Sequence, residues 1–155
     1  MLFLLFQIGE DRYALEASRV VEVVPLLALK HLPQSPPGVA GVFNYRGNPA
    51  PAIDLSQLTL GRPAQSRLST RIIIVRWPGE DQPDRVLGLV AEHATEMLRK
   101  EPKDFVDPGI RLHAAPYLGP VLMDARGVIQ WVHEKRLLSE PIRQLLNATP
   151  PALPS

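Results

Sequence analysis

Residues 39–55 read Val39-Ala-Gly-Val-Phe-Asn-Tyr-Arg-Gly-Asn-Pro-Ala-Pro-Ala-Ile-Asp-Leu55. Residues 39–45 have strand character, Arg46-Gly47-Asn48 is turn chemistry, and residues 49–55 return to an extended, apolar pattern. Pro49 and Pro51 cannot donate to a ladder, so the second strand is expected at an edge or beside a bulge. Two short strands about a tight turn set the scale on which the rest of the chain is read.

The N-terminal flank repeats that pattern. Residues 2–8 form a continuous apolar run suited to a strand buried on both faces. Gly9-Glu-Asp-Arg12 is turn-like and Tyr13-Ala-Leu-Glu16 alternates, which predicts an opening hairpin. Ser18 is placed to cap one helical turn before Val20-Val-Glu-Val-Val24, whose β-branched side chains prefer a strand. Residues 31–37 are loop, because proline holds the residue before it extended.

On the C-terminal side, residues 57–69 are polar, contain Gly61 and Pro63, and read as a loop. Thr70-Arg-Ile-Ile-Ile-Val-Arg76 is the strongest strand signal in the chain. A turn-rich loop at 77–84 leads to a strand at 85–91, where Gly88 marks a bulge or a close backbone approach. Residues 92–100 fit either a strand or a short helix, and 101–116 are irregular. Residues 117–124 and 128–133 form a last hairpin about Ala125-Arg126-Gly127. Helix is confined to 134–138 and 140–148, with Ser139 as N-cap, Pro141 in the first turn, and an apolar stripe of Ile142, Leu145 and Leu146. The Pro-rich tail at 149–155 is expected to fray.

Composition agrees with this reading. Seventeen of 155 residues are proline, about twice the usual 5% or so; internal proline breaks helices, so many short strands are expected. A chain of this length hides roughly 70% of its unfolded surface and supports one domain, or two lobes about one core. Lys and Arg number 17 against 16 Asp and Glu, which gives no basic stripe for nucleic acid. The absence of cysteine excludes disulfides, thiolate catalysis and zinc–thiolate or iron–sulfur sites. The apolar start is too short for a membrane helix and lacks the basic region and cleavage site of a secretory signal, so a soluble, cytoplasmic chain is expected.

No catalytic constellation stands out in the sequence. His31, His93, His113 and His133 form no metal-binding helix motif, and no Gly-x-Ser-x-Gly or phosphate loop occurs. Glu10-Asp11 and Glu80-Asp81 lie in polar turns, where a shaped catalytic pocket is not expected. Trp131 sits in a strand pattern as a core residue. A binding or scaffolding module is the simplest reading; a small β-barrel ligand-binding protein or enzyme with a dispersed site is the alternative.

Several elements, taken together, are more specific. Phe3-Leu-Leu-Phe-Gln-Ile-Gly9, Tyr13-Ala-Leu-Glu16 and Val20-Val-Glu-Val-Val24 resemble the opening of the chemotaxis coupling protein (CheW-like) family. The likeness continues through Leu32-Pro33, Pro36-Pro37 and residues 39–55. There the family's signature is a Gly-Val-x-Asn-hydrophobic-Arg-Gly element followed by a Pro-x-hydrophobic-Asp-Leu strand. Thr70-Arg-Ile-Ile-Ile-Val75 and Val86-Leu-Gly-Leu-Val90 fit the family's paired strands. Ala91-Glu-His-Ala-Thr-Glu-Met97 and Tyr117-Leu-Gly-Pro-Val-Leu-Met-Asp124 depart from its usual continuation.

The resemblance implies a mainly β fold: two small SH3-like five-stranded β-barrel lobes sharing a hydrophobic seam, with a short C-terminal helix. One domain would span 1–148, with lobes near 12–60 and 68–133 and a first strand that pairs with either. It implies a non-enzymatic adaptor, without cofactor or metal, that couples chemoreceptors (methyl-accepting chemotaxis proteins) to a CheA-type histidine kinase through that kinase's own CheW-like regulatory domain. Such an adaptor would be cytoplasmic, associated with receptor arrays but not inserted in the membrane. By motif position Asn44, Arg46 and Gly47 would face the receptor's cytoplasmic tip, and Val20, Glu22 and Val23 would contact the kinase. A fork-shaped guanidinium at a turn tip suits carboxylates on a helical hairpin, although Arg46 is also placed to cap local carbonyls. In a strand one pair of valines can fill the core while the other meets a partner, or both can be internal. A regulator that has lost receptor coupling is a third reading. Pro33, Pro36, Pro37, Pro49 and Pro51 are expected to stiffen the segment presenting Arg46.

Overall fold

The computed structural model describes residues 1–77, 85–109 and 119–147. All of the loop expected at 77–84 except Trp77, the stretch 110–116, the first two residues of the last hairpin and the tail lie outside the described residues. Among the described residues nine strands run in chain order: β1 (Leu2–Ile8), β2 (Asp11–Glu16), β3 (Val20–Pro25), β4 (Val39–Tyr45), β5 (Asn48–Asp54), β6 (Arg71–Arg76), β7 (Val86–Arg99), β8 (Val121–Asp124) and β9 (Gly127–Trp131). Two short helices accompany them, α1 (Leu55–Leu60) and α2 (Glu140–Asn147).

The strands make two five-stranded sheets that share β7. Its first part pairs with β6 and, in parallel, with β5; its second part pairs with β1. His93 marks the bend between them, with φ 51° and a register shift opposite Leu5 and Gln7. One lobe is therefore β3, β4, β5, β6 and the start of β7, and the other β1, β2, β8, β9 and the end of β7. Neither SH3-like barrel closes. In each, the chain beyond one strand reaches across by an isolated bridge, Lys30–Val42 in the first and Val106–Val121 in the second.

Three apolar clusters follow from strand alternation. Phe43, Ala50, Ala52, Ile72, Ile74 and Val90 fill the first lobe. Phe3, Leu5, Ala14, Phe105, Leu122 and Ile129 fill the second, with half-buried Trp131 edge-on to Phe3 at 5.0 Å. The intervening residues turn into the seam: Leu4, Phe6 and Ile8 from β1, Ile73 and Val75 from β6, Leu87 and Leu89 from β7. Each fully buried aliphatic side chain of this kind contributes about 1.5–3 kcal/mol. The seam explains why β1 and β6 read as continuous apolar runs: each serves a lobe on one face and the seam on the other.

Four expectations need correction. Residues 55–60 are helix α1, not the end of a strand and the start of a loop. The Asp54 carboxylate accepts from the Gln57 N–H at 3.1 Å and Gly61 closes the helix at φ 77°, a complete pair of start and stop signals. Ser18 lies inside the 3-10 turn Ala17–Arg19 and does not cap it; Glu16 holds that position. Residues 134–136 form only a 3-10 turn. A cut between residues 60 and 68 does not separate the lobes, because β2 pairs with β9 and β3 with β6.

Residues 92–99, which fit either a strand or a short helix, continue β7 as strand. Two expectations are met. Pro49 and Pro51 lie in the part of β5 paired with β4 alone; pairing with β7 starts at Ala52. Gly88 is a close approach: a Cβ there would stand 2.6 Å from Phe43 and 2.7 Å from Ile72.

Candidate partner-binding site

The β4–β5 hairpin is closed by a two-residue loop, since Tyr45 pairs with Asn48. Arg46 and Gly47 both have positive φ, 51° and 88°, the geometry of the type I′ turn that matches strand twist. Asn44 supports the tip, its Oδ1 accepting from the Gly47 N–H at 2.8 Å. Gly47 supplies conformational freedom and Asn44 a hydrogen bond, so the two fix where Arg46 points.

Arg46 does not cap local carbonyls. Its guanidinium donates to Glu22 Oε2 at 2.5 Å and lies 5.2 Å from the centre of the Tyr45 ring. The Tyr45 hydroxyl donates to the same carboxylate oxygen at 2.8 Å. Burial, and then the hydrogen bond to Glu22, push the Tyr45 phenol above its ordinary value of 10.0, so it remains a donor at neutral pH. The Arg46 side chain is 72% exposed, and exposed ion pairs contribute little stability; its geometry matters more than its energy.

Glu22 arrives there through a bulge. Val20 pairs with Val75 but Glu22 with Ile74, so the register shifts between them. Simple alternation would leave Val20 and Val23 on opposite faces. The bulge puts both against the seam, while Val21 and Val24 pack on the core of the first lobe. All four are half-buried, so both faces of β3 are largely internal. Glu22 reaches the hairpin tip, and the structure thereby joins residues of the two candidate sets, Arg46 and Glu22, in one hydrogen-bonded group.

Beside this group lies a groove of about 530 Å³, lined by Tyr45, Arg46, Pro49, Arg76, Arg85 and Leu146 among others, with no carboxylate in its described lining. A guanidinium nitrogen of Arg85 donates to the Leu146 carbonyl at 2.7 Å, tying α2 to the groove. Tyr45, Arg76 and Arg85 are the site residues that sequence reasoning missed. Tyr45 sat inside the opening motif as an ordinary strand residue. Arg76 and Arg85 close and open strands separated by a long loop, and nothing local relates them. Among the described residues no group of three His, Asp or Glu is placed to hold a metal ion, and no helix is long and apolar enough to cross a membrane.

Comparison with known proteins gives a consistent picture. The family model of the CheW-like domain matches residues 2–141. "Chemotaxis protein CheW" of Helicobacter pylori is 34% identical over 107 residues, covering 68% of this chain and 61% of that protein. The chain thus spans about three fifths of the length of that curated relative. The crystal structure of scaffolding protein TtCheW from Thermoanaerobacter tengcongensis superposes with a TM-score of 0.71 at 22% identity, covering 85% of this chain and 83% of that one, a likeness of fold. With the family model spanning nearly all of the two lobes described above, this chain belongs to the CheW-like family.

Proposed function

We propose that this chain is a non-enzymatic adaptor in a chemotaxis or chemosensory pathway, coupling chemoreceptors to a CheA-type histidine kinase. The observation that carries this reading is the arginine-lined groove beside the Arg46 hairpin tip. A groove with three guanidiniums and apolar walls suits a partner that presents carboxylates on an ordered apolar surface, and Arg binds carboxylates in a forked, directional way. The receptor's cytoplasmic tip is assigned to Asn44, Arg46 and Gly47, now joined by Arg76 and Arg85.

The kinase's regulatory domain is assigned to β3. Because Val20 and Val23 pack on the seam, their part is to shape the strand, and Glu22 is the side chain placed to report on both partners. Its carboxylate holds Arg46 and Tyr45 in the free chain. A receptor that takes Arg46 would leave Glu22 to the kinase side. The working location is cytoplasmic, at membrane receptor arrays.

The test is co-sedimentation of the folded chain with receptor tips and kinase. Recovery of the chain, and of kinase only in its presence, is the expected result. Failure to bind either partner would overturn the adaptor reading; binding the kinase alone would support a regulator without receptor coupling.

A further inference from the structure

The C-terminal segment is gripped at both ends by arginines that stand just before strands of the first lobe, Arg19 before β3 and Arg85 before β7. Arg19, the last residue of the 3-10 turn entering β3, donates through Nε to both carboxylate oxygens of Glu134, at 2.7 and 2.6 Å. The Glu134 side chain is only 5% exposed. At the other end Arg85 donates to the Leu146 carbonyl. Between these contacts Leu137, Leu138, Ile142 and Leu146 enter the seam, the same core that takes Val20 and Val23.

A carboxylate this deep is costly unless it is paired, so the Glu134 position dictates where the Arg19 side chain goes. The backbone of Arg19 leads directly into the bulge between Val20 and Glu22, and that bulge aims Glu22 at Tyr45 and Arg46. A contact 115 residues away in sequence therefore bears on the register of the strand. The seam packing and the Arg85 contact extend the same segment to the groove, which Leu146 lines.

We propose that residues 133–146 form a strap whose docking sets β3 and the adjoining groove, with Glu134 and Arg19 as the positioning residues of its clamp. Releasing the strap loosens the first lobe's binding surface while the second lobe keeps its own core, to which the strap contributes none of its buried residues. The inference concerns the chain alone and does not rest on the identity of either partner.

Amide hydrogen exchange of the full chain tests it. In Glu134→Gln, amides of residues 20–25 and 137–146 should exchange at least about tenfold faster than in wild type. Amides of the β8–β9 hairpin, whose buried Leu122 and Ile129 pack in the second lobe's own core and not in the seam, should stay within about twofold. Unchanged protection of β3, or equal loosening of every strand, would overturn the proposal. Glu134→Asp keeps the charge and shortens the reach; it should show a smaller effect at the same places, and it decides by the same criteria if Glu134→Gln does not fold.

Discussion

The hairpin tips at Arg46-Gly47 and Ala125-Arg126 are alike in loop length and in carrying an arginine, and differ in turn geometry and surroundings: both loop residues have positive φ at the first, and only Gly127, after the loop, at the second. Both are two-residue loops carrying an arginine, and beside each a side-chain oxygen accepts a loop N–H, Asn44 for Gly47 and Asp124 for Arg126. At the second tip the charges are spent within its own sheet. Arg12 of β2 grips Asp124 through two nitrogens, at 2.9 and 2.5 Å, and Arg126 reaches Glu96 of β7 at 3.2 Å. At the first tip Arg46 meets one carboxylate that it shares with Tyr45, and it opens onto a groove with two more arginines. Turn chemistry makes the tip; the neighbouring strands decide whether it ties the lobe together or faces outward.

The largest expected effect lies beneath the first tip. Gly88 leaves room for Phe43, which precedes the tip on β4 and packs edge-on to Tyr45 at 6.4 Å. Gly88→Val forces both Phe43 and Ile72 aside and should cost about 2–3 kcal/mol in urea unfolding, from overpacking a close-packed core. A variant as stable as wild type would mean that the hairpin is not fixed by this contact.

A smaller effect separates the tips directly. Gly47 and Gly127 have φ of 88° and 119°, and nothing lies within 4 Å of a Cβ at either. Alanine at each should therefore cost about 1 kcal/mol of backbone strain and no packing. Equal losses of stability are expected in thermal melts, but only Gly47→Ala should also weaken receptor binding, because it displaces Arg46. Weakened binding in Gly127→Ala would erase the distinction.

The smallest effect is one of pH. The hydrogen bonds from Arg12 hold the Asp124 carboxyl down to about 2, from 3.8. A depressed folded value means that the clamp stabilises above the unfolded value and is lost as pH falls toward 2. Asp124→Asn should thus be less stable than wild type at neutral pH, by a small amount because the group is solvated. The gap should close between about pH 5 and 2; a gap that stays constant over that range would assign the stabilisation to something other than the carboxylate charge.

Much of this was legible in the chain. Apolar runs, β-branched residues and alternation located eight of the nine described strands and part of β7, and the run at residues 2–8 announced burial on two faces. The signature at 41–47 pointed to the family and to the Arg46 tip. Less legible were features that depend on contacts distant in sequence. The bulge in β3 shows only in its pairing with β6, so alternation alone could not place Val20 and Val23 on one face. The exchange of strands between lobes follows from β7 crossing between them, which composition does not reveal. Helix α1 is a different case: Asp54 and Gly61 stood in the sequence as its cap and stop, and the six residues between them, half of them leucine, are too few to show a helical period.

We propose that the Arg46 tip, and not its counterpart at Arg126, meets the receptor. It is tested most directly by measuring co-sedimentation with receptor tips for Arg46→Glu and Arg126→Glu side by side. Both residues are well exposed, so each variant should fold with stability within about 0.5 kcal/mol of wild type. Arg46→Glu, which sets a carboxylate beside Glu22 and reverses one charge of the groove, should lower receptor affinity at least about tenfold. Arg126→Glu should leave it within about twofold. Equal losses in the two variants, or full binding by folded Arg46→Glu, would mean that the Arg46 tip does not meet the receptor.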